Sequence, residues 1–425
     1  MDVERKAVAV TGNEKSRFDI VICGGSFVGL ALARALAAEA PGVFSVGVVE
    51  QRPLPRPNDV IADGRTVAVT ASVRAMLEVI GVWPAIAGKA EPIRRIELTD
   101  SALDAPVRPS LINLDSEKTP SGEPTAYIVE NSDLLRALVG SLEGAENVRV
   151  LAPDSVSSFE TEDQTVEIKL RSGAALSAKL LVAADGRTSE LRDMAGIRAT
   201  TFPSDKVGIV ATVGIAIPHD GVARQHFLPA GPFAILPMTG NRVSVVWTED
   251  GREAKEILSE GRESALAELS RRFGPELGAL TLLSEPKAYP LTMTLARDFV
   301  RPRFVLAGDA AHGLYWIAGQ GLNHGLKDVA ALAETLIDAA RLGLDIGGVS
   351  VLKRYERWRR FDSTTSAFTA AAINALFSND SMALRMFRST GLRTVDRLSR
   401  LKTFFMKEAA GLTGDVPKLL RGNPV

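Results

Sequence analysis

The chain has 425 residues, of which 46% are hydrophobic, and a formal net charge of −1. This length can bury one large core or two moderate ones, and the near-neutral charge excludes bulk attraction to nucleic acid or acidic lipid. The one cysteine, Cys23, and the lack of HExxH or CxxC spacing exclude an internal disulfide, predict no metal site, and are typical of a reducing cytosol.

Residues 1–17 form a charged, polar tail without an apolar h-region, so we predict no signal peptide. Elsewhere no uncharged apolar run approaches about 18 residues, so we predict no membrane span. A cytoplasmic protein is therefore expected.

A βαβ unit is predicted near the N-terminus. An apolar strand over 18–23 leads into the turn GGSFVG at 24–29, then into an apolar-faced helix and a second strand over 43–49 that ends at Glu50. Such glycines permit a tight turn, a pyrophosphate can lie on the helix N-terminus, and the acid can accept from ribose hydroxyls. We interpret the unit as a dinucleotide site; the alternative is an ordinary αβ turn.

The segment DGRTVAV at 63–69 leads into a helix predicted over 72–80. Arg65 is open to two interpretations. It is either a fixed positive charge beside a bound cofactor or a surface arginine that caps a turn.

Residues 92–100 alternate as in an edge strand, and the polar stretch 101–125 is predicted to be a loop or lid. A strand beginning at Tyr127 then passes into a helix. Asn131, at this junction, can act as the helix N-cap.

An apolar run at 180–184 leads into DGRTSELR at 185–192. Asp185 can cap the helix that follows it.

Residues 204–289 have a different character. Alternating runs at 207–211, 233–237 and 242–247 predict a separate, mostly antiparallel sheet, and a charged helical pattern follows over 253–273.

The stretch 303–328 predicts a strand, an acidic turn and a glycine-rich helix start. The strand 304–307 is broken by Gly308-Asp309, and Gly319-Gln320-Gly321 opens a long helical pattern. Free N–H groups and the positive end of the helix dipole suit a partly anionic ligand. Asp309 can accept hydrogen bonds from a sugar-like hydroxyl.

The C-terminal third is predicted to be helical. Residues 381–425 hold nine basic residues against three acidic ones, interleaved with apolar residues. This pattern is that of a helix packed on the core with a solvated face, or of a basic amphipathic helix on an anionic membrane surface.

The stretch from Gly308 to Asp328 resembles GDAAHxxxPxxGQGxNxGLxD, which is the ribityl-binding motif of the single-component FAD-dependent aromatic hydroxylases. The segments around Glu50 and Asp185 are similar to the two other dinucleotide motifs of that family. The DGR segment at 63–65 and the C-terminal third resemble its ubiquinone-biosynthesis branch. One position departs from the motif, because Trp316 stands where the family has proline.

The resemblance implies a Rossmann-like FAD-binding domain (17–90, 126–200 and 290–345) interleaved with an antiparallel-sheet substrate domain (91–125 and 201–289), plus a C-terminal helical region (346–425). The fold class is therefore α/β, or α+β. The implied FAD-binding residues are Gly24, Gly25, Ser26, Gly29, Glu50, Arg65, Asn131, Asp185, Gly308, Asp309, Gly319, Gly321, Leu322 and Asn323. In the family the sheet forms a roof over the flavin, and the implied pocket-lining residues are Trp316, Gln225, Phe227, Phe233 and Pro237. The four sheet residues Gln225, Phe227, Phe233 and Pro237 are alternatively plain sheet core. His312 lies in the motif and is interpreted as structural.

The resemblance also implies the reaction. NAD(P)H visits transiently to reduce FAD, O2 forms a flavin C4a-hydroperoxide, and the phenol ring of a polyprenylated ubiquinone precursor is hydroxylated. No protein acid or base is assigned. A hydroxylase of a soluble aromatic and a non-catalytic flavoprotein scaffold of a quinone-biosynthesis complex remain as alternatives. Peripheral contact with the inner face of the membrane is a further expectation.

Overall fold

A computed structural model describes residues 16–56, 59, 64–100, 103, 108, 110–116, 122–228, 230–313, 320–377, 410–412 and 414–425. The strands in this part of the chain are β1 Ser16–Cys23, β2 Val46–Val49, β3 Thr66–Thr70, β4 Glu91–Pro92, β5 Arg95–Asp100, β6 Ser110–Asp115, β7 Ala126–Glu130, β8 Val148–Leu151, β9 Val156–Thr161, β10 Val166–Leu170, β11 Ala175–Ala183, β12 Ala199–Phe202, β13 Lys206–Ile215, β14 Val222–Leu228, β15 Gly231–Met238, β16 Arg242–Asp250, β17 Leu280–Leu282, β18 Lys287–Pro290, β19 Met293–Ala296, β20 Val300–Arg301, β21 Phe304–Leu306 and β22 His312–Gly313. The α-helices are α1 Phe27–Glu39, α2 Ala71–Val79, α3 Asn131–Ser141, α4 Glu190–Met194, α5 Gly251–Ser259, α6 Arg262–Phe273, α7 Gln320–Arg341 and α8 Val349–Phe377.

The first large sheet has the strand order β20-β21-β11-β1-β2-β8, with β10 and β9 attached to β11. Strands β21, β11, β1, β2 and β8 are mutually parallel. Because helices cover a parallel sheet on both faces, its central strands are continuously apolar, as Ile20 to Cys23 and Leu180 to Ala183 are here. The α/β class and the predicted βαβ unit are therefore confirmed.

The second large sheet has the order β17-β13-β16-β15-β14-β5-β6, with β18 beside β13. Its pairs are antiparallel except β14 with β5, which confirms the predicted mostly antiparallel sheet.

Two predicted elements near this sheet are wrong. The strand predicted over 92–100 is not at an edge, because β5 lies between β14 and β6. The edge strand is β6, which lies inside the stretch 101–125 predicted to be a loop; its Leu111, Ile112 and Leu114 are buried. The charged helical pattern predicted over 253–273 is confirmed; it consists of two helices, α5 and α6, which are separated at Gly261, where φ is +94°.

The antiparallel sheet has two distinct faces. The row Val210, Val246, Ala234, Gln225 and Leu98 runs across five strands and defines the inner face. The inner face lies toward the segment that precedes β3, since Thr212 Oγ1 lies 3.4 Å from the carbonyl oxygen of Gly64. The neighbouring row Ile209, Trp247, Phe233, His226 and Thr99 defines the outer face, which packs on α5 and α6.

The end of the chain returns to the first sheet's core. Leu419 and Leu420 are buried in the same cluster as the residues of α7. Trp358 Nε1 donates to the carbonyl oxygen of Asp415 at 2.7 Å, and the backbone N–H of Lys418 donates to Glu334 at 2.8 Å. Of the helices in the described ranges, none is both long enough and apolar enough to cross a membrane.

Candidate active site

The parallel strands bring the predicted cofactor residues to one edge. Cys23 pairs with both Val49 and Ala183, and Ala183 pairs with Leu306. Because neighbouring parallel strands end at the same edge, the turns after them lie together there. The predicted residues in these turns are Gly24–Gly29, Glu50, Asp185 and Gly308–Asp309.

Two positions of the first turn, Gly24 and Gly29, are packed so tightly that only glycine fits there. Gly24 has φ of +116°, and a Cβ there would lie 2.1 Å from the carbonyl oxygen of Ala184. A Cβ on Gly29 would lie 1.9 Å from the carbonyl oxygen of Gly24. The exposed Ser26 makes no side-chain capping bond to α1, and no acidic residue occupies the first turn of that helix. Its N–H groups and positive dipole end are thus suited to a phosphate.

Glu50 supports this turn from β2. Its Oε2 accepts from the backbone N–H of Gly25 at 2.5 Å, and its Oε1 accepts from that of Arg52 at 2.9 Å. A carboxylate has about four acceptor positions, so both oxygens retain capacity for a ribose. That role for Glu50 stays a prediction.

Asp185 begins the second turn. Its Oδ2 accepts from the backbone N–H of Leu191 at 3.2 Å, while its buried Oδ1 has no hydrogen-bond partner among the described residues. Burial raises the pKa of Asp185, against the effect of its hydrogen bonds with Ser189 and Leu191. An unsatisfied buried carboxylate oxygen with a raised pKa is typical of a ligand site.

Asp309 lies in the third turn with 40% of its side chain exposed. The surrounding protein nevertheless displaces water from it, and this desolvation raises the pKa of Asp309 in spite of Arg187 and His312. Arg187 Nη2 lies 3.6 Å from Asp309 Oδ2. The carboxylate is therefore accessible, and Arg187 offsets its negative charge only in part, as expected of an acceptor for ligand hydroxyls.

Sequence reasoning missed Arg187. Besides approaching Asp309, its Nη1 donates to Thr292 Oγ1 at 3.2 Å, so it links the second turn to the third. A basic residue two positions after Asp185 was the available signal.

Helix α7 begins at this site. Among the described residues, which leave out 314–319, no heavy atom lies within 4 Å of the position that a Cβ on Gly321 would take. The side chain of Asn323 is used within the protein: its Oδ1 accepts from Thr70 N at 3.1 Å, and its Nδ2 donates to the carbonyl oxygen of Ala68 at 2.7 Å. Asn323 thus holds α7 to β3. Leu322 lies in the same first turn, and the cofactor roles of all three α7 residues stay predictions.

Arg65 and Asn131 are neighbours, since the backbone N–H of Asn131 donates to the carbonyl oxygen of Arg65 at 3.0 Å. The Arg65 guanidinium lies 5.4 Å from the ring centroid of Tyr289, so it bridges β3 to the antiparallel sheet. Helix α3 begins at Asn131, and Glu130 occupies the cap position. The alternative role of Asn131 as N-cap is therefore wrong.

The predicted pocket residues are divided between the two faces of the sheet. Gln225 and Phe227 both lie on the inner face. Pro237, which pairs with Val243, lies on the outer face. Phe233 is fully buried on the outer face, with its ring centroid 5.6 Å from that of Phe273, so it is core. Trp316 and Gly319 lie outside the described residues.

His226, between Gln225 and Phe227, lies on the outer face of the sheet and is buried, with only 3% of its surface exposed. Its Nδ1 lies 2.7 Å from Thr99 Oγ1. Burial, together with the charges of Arg108 and Arg224, lowers the pKa of His226 from 6.5 to about 4. Between these values the unfolded chain binds a proton that the folded protein does not. The free energy of unfolding should therefore fall as the pH drops from about 6.5 to about 4.

We predict that His226→Asn, which keeps an acceptor for the Thr99 hydroxyl but cannot titrate, reduces this pH dependence by up to about 3 kcal/mol. Urea unfolding of both proteins at pH values near 4 and near 7 measures the difference. An unchanged dependence would assign it to other groups.

Together these features fit FAD. Glu50 and the glycine-rich start of α1 would suit the adenosine and pyrophosphate, Asp309 would suit the ribityl hydroxyls, and a Cβ on Gly321 would meet no described atom within 4 Å. The unpartnered Asp185 Oδ1 supplies a further acceptor.

Comparison with known proteins agrees with this fit. Residues 17–364 match the protein family described as FAD binding domain. The chain is 39% identical over 422 residues to the ubiquinone hydroxylase UbiL of Rhodospirillum rubrum, covering 98% of this chain and 95% of that protein. It is 33% identical over 396 residues to the 3-demethoxyubiquinol 3-hydroxylase of Escherichia coli, covering 93% and 98% respectively. In fold it is similar to p-nitrophenol 4-monooxygenase PnpA from Pseudomonas putida DLL-E4, with a TM-score of 0.79 and 21% identity, covering 95% of this chain and 100% of that chain.

Proposed function

The chain belongs to the FAD binding domain family of flavoprotein monooxygenases, and from this membership we propose that it hydroxylates the aromatic ring of a polyprenylated ubiquinone precursor. The observation that carries the proposal is similarity over nearly the full chain to two hydroxylases named for ubiquinone-series compounds. The net reaction consumes NAD(P)H, a proton and O2; one oxygen atom enters the ring and the other leaves as water.

The residues that would hold FAD are those at the carboxyl edge of the parallel sheet. When bound, FAD accepts electrons from NAD(P)H and activates O2 for insertion into an electron-rich ring. The N-terminus of α7 contributes its N–H groups and positive dipole end, which stabilise negative charge near Gly321. Arg65 adds a fixed positive charge at the border between β3 and the antiparallel sheet.

The apolar side chains on the inner face of the antiparallel sheet favour an apolar substrate. Its strands β5 and β6 carry a cluster of Ile96, Leu98, Ile112 and Leu114, next to Gln225 in register. An apolar wall limits access of water to a reactive site and gives a prenyl chain surface to bury.

The test is turnover by the purified full chain, loaded with FAD and supplied with NADPH and isotopically labelled O2. Incorporation of one labelled oxygen atom into a prenylated phenol of the ubiquinone series is the expected result. Product from a small soluble phenol but none from the prenylated one would favour a hydroxylase of soluble aromatics. Bound FAD without hydroxylated product from either phenol would favour a scaffold.

We predict that Leu98→Gln raises the KM for the prenylated phenol about five- to tenfold, because a partly buried apolar side chain on the inner face is lost. The KM for an unprenylated phenol should not change. The matched control is Arg95→Gln, an exposed residue on the other face of the same strand. Equal increases for both phenols would contradict a role in binding the prenyl chain.

We also propose peripheral membrane contact through the basic C-terminal region. The excess of basic residues over 381–425 and the membrane location of a polyprenyl substrate support it; residues 378–409 lie outside the described ranges. Co-sedimentation with anionic but not with neutral vesicles is expected, and equal recovery with both would contradict it. A cytoplasmic location and membership of a quinone-biosynthesis complex stay predictions.

A further inference from the structure

A fully buried carboxylate lies behind the third cofactor turn. Asp328, on α7, is 0% exposed. Its Oδ2 accepts from the backbone N–H of Gly308 at 2.8 Å and lies 2.6 Å from His312 Nε2. Its Oδ1 accepts from Arg359 Nε at 2.6 Å. One side chain therefore connects the turn, α7 and α8.

Arg359 comes from a different part of the chain. It lies on α8, its side chain is 4% exposed, and its Nη1 donates to Asp362 at 2.6 Å. Burial by itself raises the pKa of Asp328, but His312 and Arg359 outweigh that effect and bring it to about 2. The carboxylate is thus charged and paired with the Arg359 guanidinium.

This carboxylate is a side-chain acceptor for the backbone of the turn, at the N–H of Gly308. Gly308 has φ of +64° and no side chain to anchor it, and a Cβ there would lie 3.0 Å from Val28 Cγ2. Its N–H bond to Asp328 directly precedes Asp309. A buried carboxylate that loses its cation must take up a proton or move toward water, and either change weakens its hold on Gly308.

We propose that Arg359 is a positioning residue that, through Asp328, orients the Gly308–Asp309 turn for the ribityl hydroxyls of FAD. The proposal rests on the assignment of Asp309 to FAD made above. It places α8, which carries none of the cofactor motifs, in the machinery that sets cofactor affinity.

The test compares two ligands on the apoprotein of the full chain. FAD binding is followed by flavin fluorescence, and ADP binding by calorimetry. Arg359→Met should raise the dissociation constant for FAD about tenfold or more. It should leave that for ADP unchanged, because the adenosine end is assigned to the turn at 24–29 and to Glu50.

A second variant tests the charge pairing itself. Adding Asp328→Asn to Arg359→Met removes the buried charge that has lost its guanidinium partner, so the double variant should bind FAD more tightly than Arg359→Met alone. Weaker binding by the double variant would overturn the proposal. If Arg359→Met does not fold, Arg359→Lys keeps the charge and loses the forked contact, and should show a smaller rise for FAD alone.

The matched control is Arg357→Met, an exposed arginine on the same helix, which should bind both ligands as the wild type does. Equal weakening of FAD and ADP in Arg359→Met would indicate general loosening and overturn the proposal, as would unchanged binding of both. Failure of the wild-type chain to bind FAD would instead refute the proposed function, and the inference with it. An Asp309→Ala variant that binds FAD normally would refute the assignment of Asp309 on its own.

Discussion

Replacement of Asp309 by alanine is expected to raise the dissociation constant for FAD by between about ten- and a hundredfold. The estimate corresponds to the loss of one hydrogen bond from a charged acceptor, about 1.5–3 kcal/mol. Asp309 is the accessible acid of the Gly308–Asp309 turn, with 40% of its side chain exposed. Fluorescence titration of the apoprotein with FAD measures the effect.

The same substitution should not destabilise the apoprotein. Desolvation raises the pKa of Asp309, so at neutral pH its negative charge is less favourable in the folded chain than in the unfolded one. Removing the charge should therefore leave the melting temperature of the apoprotein unchanged or higher. Lost affinity without lost stability is the pattern of a residue kept for binding.

Asp309→Asn is the matched comparison, because it keeps an acceptor oxygen and removes only the charge. We expect its affinity for FAD to lie between those of the wild type and Asp309→Ala. Stoichiometric FAD in purified Asp309→Ala would contradict the assignment of this turn to the ribityl chain.

The second large effect is expected for Gly29→Ala. The new Cβ would lie 1.9 Å from the carbonyl oxygen of Gly24 and 3.2 Å from Ile22 Cγ2. The backbone of Gly24 has no room to shift away, because it already packs against the backbone of Ala184. We expect the free energy of unfolding to fall by about 3 kcal/mol or more, since overpacking of this kind forces the backbone to shift, and FAD binding to be lost with the turn.

Gly140→Ala is its control. Gly140 lies in α3, and a Cβ there would meet nothing within 4 Å. Alanine should stabilise this helix by about 0.5–1 kcal/mol. Urea unfolding of the two variants beside the wild type gives opposite shifts of the midpoint if the contacts are as described. A midpoint for Gly29→Ala equal to that of the wild type would show that the turn is looser than these distances imply.

Local features of the cofactor site could be predicted from the sequence. The turn at 24–29 needs glycine because of its own backbone, and the apolar run before it must be a buried strand. Cys23 is buried, as a strand residue should be, and His312 is enclosed beside Asp328. The need for glycine follows from the local backbone, and the burial of Cys23 follows from a run that is buried on both faces; the contact of His312 with Asp328 depends on how α7 packs.

Long-range partners could not be predicted in the same way. Alternation predicts an edge strand over 92–100, but β5 pairs on one side with β6, which lies in a polar stretch. On its other side it pairs with β14, which is more than a hundred residues away in the chain. The sequence shows that Phe227 and Phe233 are both apolar residues of predicted strands. Only the register of the β14–β15 hairpin shows that they lie on opposite faces of the sheet.

The sequence by itself determined that this is a dinucleotide-binding α/β protein with an added antiparallel sheet, because glycine spacing and apolar periodicity are local properties of the chain. Only the tertiary structure decided that Asn323 bonds to Thr70, 253 positions away, and that Arg359 neutralises Asp328 across two helices. The physical reason is that a buried hydrogen bond or ion pair depends on which groups the packing brings within about 3 Å, and no spacing along the chain encodes that distance.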